Sequence, residues 1–174
     1  MESKHLEDTQ KHLEDWLRDA HAMEKQAEKM LKAQASRLEH YPQVQQRIEQ
    51  HITETQNQSQ KLEQCLTLLG SDSSTFKDMG AQLAAFGQAV GGMMAEDEVV
   101  KGSIASFAFE QFEIANYKAL VKTAEMASQP EIAQLCKEIL QEEIAMADWL
   151  SEHLDETTQA FLERSADSDL RSKT

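Results

Sequence analysis

Apolar residues recur at helical spacing along most of this chain. Between about His12 and Leu38, the positions Leu13, Leu17, Ala20, Ala27, Leu31 and Leu38 fall on one face of a helix. The pattern stops at His40-Tyr41-Pro42, where Pro42 suits the first turn of a new helix and disfavours helix in the residue before it. A second helix over 42–69 carries Val44, Ile48, Thr55, Leu62, Leu66 and Leu69, and Gly70 follows as a C-terminal glycine. Residues Thr75 to Ala89 read as a shorter helix with Phe76, Met79, Leu83, Phe86 and Val90 on one face, closed by Gly91-Gly92. A long helix is expected from about Asp97 to Ala127. Ser128-Gln129-Pro130-Glu131 then reads as a capping box with proline in the first turn. The last helix runs to about His153 or a little beyond, with Ile132, Cys136, Ile139, Met146 and Leu150 in register.

The two tight turns make each pair of long helices antiparallel neighbours, and the long middle connection separates the pairs. An all-α four-helix bundle of two antiparallel hairpins, with a crossover carrying a short extra helix, has ferritin-like connectivity. On this reading residues 1–11 are an N-terminal extension, 12–164 the bundle and 165–174 a flexible tail.

Composition agrees with that plan. The 174 residues include only 2 Pro and 6 Gly, few enough for helices to dominate. The net charge of −14 argues against nucleic acid and anionic membranes as partners. No stretch is apolar enough to span a bilayer, and the N-terminal residues lack a basic segment and an apolar run, so a cytoplasmic location is expected. Cys65 and Cys136 form no CxxC and are expected to be reduced and buried.

Candidate chemistry lies in glutamates that interrupt or flank the apolar stripes, because an unpaired buried carboxylate is costly. Glu24 lies among Leu17, Ala20, Ala27 and Leu31; Glu54 flanks Ile48, Thr55 and Leu62. Glu113 is one turn from Glu110 and from Tyr117, and Glu143 sits among Ile139, Met146 and Leu150. Counting from the turns brings Glu24 and Glu54 to within about 6 Å in height, and Glu113 and Glu143 to within about 3 Å. Four inward carboxylates at one level need protons or a cation, and a pair of Fe or Mn ions suits such ligands. Glu-x-x-His is absent at that level. The reversed spacings His21-x-x-Glu24 and His51-x-x-Glu54 occur instead, and they place His21 and His51 as supporting groups rather than metal ligands.

The segments WLRDAHAMEKQAEKML, RIEQHITETQNQ, DEVVKGSIASFAFEQFEIANY and LQEEIAMADWL stand in an order and spacing that resemble the bacterial YciE/YciF stress-protein family, nearest the YciE type. The resemblance covers roughly residues 12–164. It implies a ferritin-like bundle, a homodimer and a link to stress, with metal carboxylates at Glu24, Glu54, Glu113 and Glu143 and Glu110 nearby. The expected activity is that of a dinuclear Fe or Mn protein acting on peroxide or oxygen. The alternative is a metal-free helical dimer serving as an interaction module.

Overall fold

The computed structural model describes residues 2–71 and 98–167, and these form four helices and no strand. They are α1 (Glu2–Ala35), α2 (Pro42–Leu68), α3 (Glu98–Met126) and α4 (Pro130–Ala166). The helix expected over 75–89 and residues 168–174 of the tail lie outside the described residues. Helix α1 begins about ten residues before the apolar pattern does. Its first three turns carry Glu, Lys, Gln and Leu, which hold a helix well without burying a stripe. Helix α4 likewise continues past His153 to Ala166.

Helix α1 packs on α2 and α3 on α4; the pairs then meet through α1 with α3 and α2 with α4. Side-chain contacts fix the directions. Gln56 reaches Glu28 and His21 reaches Glu63, so α1 and α2 run antiparallel. Tyr117 reaches Glu24 and Ser106 reaches Gln34, so α1 and α3 are also antiparallel. Ser71, just after α2, bonds Arg18 and Glu14, whereas the start of α3 lies beside Gln34. The end of α2 and the start of α3 therefore lie at opposite ends of the bundle. The described residues thus form an all-α four-helix bundle with a single long crossover.

Helices α2 and α3 end in the same device. Gly70, at φ 72°, lets its own N–H reach Thr67 O while Ser71 N–H reaches Leu66 O. Ser128 repeats the geometry at φ 57°, with Ser128 N–H on Glu125 O and Gln129 N–H on Ala124 O. The expected capping box is therefore not formed. Ser128 closes α3 instead, and Gln129 caps α4 without a side-chain bond, kept out of the helical region before Pro130 at φ −113° and ψ 72°. In the first hairpin Pro42 opens α2 as expected, and Gln45 Nε2 donates to Ala35 O at 3.0 Å, covering an end carbonyl of α1.

The core is divided. One apolar cluster gathers Leu13, Leu17, Leu62, Leu66, Leu120 and Ile132 toward one end. A second gathers Leu31, Leu38, Val44, Ile48, Met146 and Leu150 toward the other. Cys65 and Cys136 meet within the first as free buried thiols, and their contact together with burial pushes the Cys136 thiol far up. Trp16 is 43% exposed on α1, so it is not a core residue. Among the described residues no helix is long and apolar enough to cross a membrane.

Candidate metal centre

Between the two apolar clusters, all four helices turn acidic or imidazole side chains inward. Helix α1 supplies Glu24, α2 His51, α3 Glu110 and Glu113, and α4 Glu143, and every one of them is buried. Each sits at core spacing in its helix. Glu24 is one turn from Ala20 and Ala27, His51 one turn from Ile48 and Thr55, and Glu143 one turn from Ile139 and Met146. His51, Glu110, Glu113 and Glu143 each offer a ligand atom, and those atoms lie within 4.8 Å of one another. Tyr117, fully buried one turn beyond Glu113, donates its hydroxyl hydrogen bond to Glu24 Oε1.

The electrostatics follow from crowding. Burial, with Tyr117 and His51 opposing it and Glu110 adding to it, pushes the Glu24 carboxyl up to about 8. Burial and then the neighbouring carboxylates push Glu113 and Glu143 well above the ordinary range. Burial alone would lower the His51 imidazolium. Glu110 and Glu54 outweigh it and hold the group up at about 9. His51 is thus a cation in contact with the acidic cluster, and one positive charge does not balance four carboxylates.

The unsatisfied atoms point the same way. Glu24 Oε2, Glu113 Oε1 and both Glu143 oxygens are buried without a hydrogen-bond donor, as is Glu110 Oε2. Glu110 Oε2 and Glu143 Oε2 lie 3.3 and 3.5 Å from His51 Nε2, as ion-pair contacts rather than well-directed hydrogen bonds. Buried polar atoms normally find partners. Four carboxylates and an imidazole with this many open lone pairs fit a cation, and the mixed oxygen and nitrogen set suits Fe or Mn.

Three residues occupy places other than those expected. Glu54 does not turn into the cluster. It lies at the bundle edge, 21% exposed, taking Arg47 at 3.2 Å, Gln50 at 2.8 Å and His51 Nδ1 at 2.7 Å. These partners outweigh its burial and hold its carboxyl down at about 2. His51 takes the inward place on α2 instead. His21 is buried too, but its Nε2 faces Glu63 at 2.9 Å, on the side of α1 turned to α2. The sequence did carry the signal for His51. Ile48, His51, Thr55 and Leu62 form one stripe, and Glu54 falls beside it.

Comparison with known proteins places the fold. The chain is 48% identical to protein XCC3681 of Xanthomonas campestris pv. campestris, covering 92% of this chain and 99% of that one, with a TM-score of 0.79. YcfI from Rhodopseudomonas palustris is 25% identical over 84% of this chain and 92% of its own, at a TM-score of 0.69. The stress protein YciF of E. coli shares the fold at 21% identity, covering 87% of this chain and 97% of that one, with a TM-score of 0.74. A family model described as "Domain of unknown function (DUF892)" matches residues 8–163. The chain therefore belongs to the DUF892 family, in agreement with the YciE/YciF-type kinship expected from its motifs.

Proposed function

We propose that this protein is a stress-response member of its family that binds a dinuclear Fe or Mn centre in the middle of the bundle and acts on peroxide or oxygen. The observation that carries the reading is the set of buried carboxylate oxygens without donors on Glu110, Glu113 and Glu143, gathered around one imidazole, with the open Glu24 Oε2 coupled electrostatically to them. Support for the stress role comes from the shared fold with a protein described as a stress protein.

Glu24, His51, Glu110, Glu113 and Glu143 would hold the ions. Bound Fe or Mn would supply electrons by changing oxidation state. The chain's own groups set the conditions for that chemistry. Tyr117 occupies Glu24 Oε1 and leaves Oε2 open, so Glu24 is held in one orientation. Glu54 accepts from His51 Nδ1, which directs Nε2 to the cluster, the usual carboxylate support of a ligating histidine. The two flanking apolar clusters keep bulk water from both ends of the site.

The test is metal content together with thermal unfolding. Protein purified without chelator should carry Fe or Mn. Added Fe(II) or Mn(II) should raise the Tm of the wild type, because a ligand that binds only the native state stabilises it by mass action. Glu113→Gln should abolish most of that rise while its metal-free form unfolds at least as high as the wild type, since one of the crowded carboxylates is gone. Equal responses of both proteins to metal would refute the centre.

A further inference from the structure

The core face of α2 is polar well beyond the metal cluster. Thr55, Gln58 and Ser59 follow His51 on that face, bounded by Ile48 before and Leu62 after, and all three are at most 1% exposed. Thr55 Oγ1, Gln58 Oε1 and Ser59 Oγ are buried without a hydrogen-bond partner in the protein. This is not how hydroxyls on these helices usually behave. Thr53, Thr67, Thr123, Thr158 and Ser103 each donate to the carbonyl four residues earlier, at 2.7–3.4 Å. Thr55 and Ser59 forgo that local bond.

Register places these groups between the site and the surface. The pairs Gln56–Glu28 and His21–Glu63 bracket Ser59 opposite Glu24 on α1. At the other side Gln58 Nε2 donates to Glu142 Oε2 at 2.9 Å, and Lys61 Nζ binds Glu142 Oε1 at 3.2 Å. Glu142 and Lys61 are partly exposed, at 31% and 23%. Seven residues of α2, about 10 Å, separate Gln58 from His51. A dry seam would leave three polar atoms unmet where valine, leucine or alanine would fill the same space. Internal water is the usual partner for such groups.

We infer that Thr55, Gln58 and Ser59 line a hydrated seam through which divalent cations pass from the Glu142–Lys61 mouth to the buried carboxylates. The seam offers neutral oxygen atoms one helical turn apart, a ladder suited to exchanging the water shell of a hard cation. Glu142 at the mouth attracts the ion, and its pairing with Lys61 keeps the ion from being held there. The three residues are conduit rather than ligand, so they set the rate of loading and not the final occupancy. This inference rests on the metal-centre reading, and its test separates the two.

The experiment uses full-length metal-free protein with Co(II) as the probe, followed by stopped-flow absorbance. The near-isosteric double variant Thr55→Val/Gln58→Leu should take up Co(II) at least tenfold more slowly than the wild type while reaching the same final absorbance. A rate within twofold of the wild type overturns the seam. A slower rate with a lower end point overturns it as well, because the residues would then be ligands. Oxygen-17 relaxation dispersion of water on the metal-free proteins gives an independent readout. The wild type should show slowly exchanging internal water that the double variant loses; equal dispersion in the two overturns the seam. Failure of the wild type to take up any Co(II) refutes the metal-centre reading, and the relaxation measurement then decides the seam alone. Should the double variant not fold, Thr55→Val alone carries both measurements, with the same outcomes expected.

Discussion

His51 and Glu24 give the site a pH dependence whose sign differs with and without metal. The His51 pKa is raised from 6.5 to about 9 in the folded protein, so its stabilising contribution is complete below about 6.5 and fades as pH rises through about 9. The Glu24 pKa is raised from 4.5 to about 8, so its contribution is also present at low pH and is lost between those values. Glu54 acts oppositely, since its depressed pKa favours the fold above about 4.5 and is lost as pH falls through about 2. Metal-free protein should therefore lose Tm steadily from pH 5.5 to pH 9. Metal competes with protons for these groups, so the Tm increment from added Mn(II) should grow over the same interval. Thermal unfolding at four pH values with chelator or Mn(II) checks both slopes, and a metal-free Tm that rises with pH contradicts the assignment. Tyr117→Phe offers a second test at this scale. It removes the Tyr117 hydrogen bond to Glu24 Oε1 and leaves a buried carboxyl oxygen unmet, at a cost of about 1–3 kcal/mol, measurable by urea unfolding of the metal-free protein.

At the level of elements, the left-handed residues that close α2 and α3 make opposite predictions. Ser128 adopts φ 57° with a side chain that this region disfavours, so Ser128→Gly should stabilise by up to about 1 kcal/mol, less what glycine adds to the unfolded chain's freedom. Gly70→Ala should destabilise by about 1 kcal/mol at φ 72°, although a Cβ there would meet no other atom, so the loss is conformational rather than steric. Urea unfolding of the two variants should show midpoints moving in opposite directions. These turns also show what the sequence could convey. Gly70 announces itself, whereas Ser128 reads equally as a cap of the next helix, and only the chain's path decides. The long helices were legible because their stripes repeat every three to four residues. The first ten residues of α1 were not, because a solvent-facing helix needs no stripe. Glu24, Glu113 and Glu143 stood out as charges in apolar company. Glu54 misled because a residue beside a stripe and one within it differ by a rotation of the helix that only packing fixes. His51 was in the stripe, but the choice between it and Glu54 required seeing Arg47 and Gln50 claim the carboxylate at the edge.

For the molecule as a whole, α3 carries apolar side chains outside the core as well as within it. Ile104 and Phe112 are about half exposed and Phe107 is 36% exposed, on a helix that is apolar on more than its core side. The homodimer expected from the family resemblance would cover apolar surface of this kind, at a cost in repulsion between two chains of net charge −14. Light scattering at micromolar concentration in moderate salt should therefore give twice the 19.7 kDa chain mass, and Phe107→Glu should shift the population toward monomer. A wild type that stays monomeric at high salt, where repulsion is screened, rules the dimer out.

The long crossover has a consequence for how the two halves of the chain depend on each other. The first hairpin brings Glu24 and His51 and the second brings Glu110, Glu113 and Glu143, so neither half owns the centre, and the second half holds three acids with no positive partner among them. Were the chain divided between α2 and α3 and the two pieces made separately, their reassembly would be a fragment complementation glued by the ion. Metal should tighten the association of the pieces by the same factor by which it binds the joined protein more tightly than the separate pieces. Titration calorimetry of one fragment into the other, with and without Mn(II), would read that linkage directly.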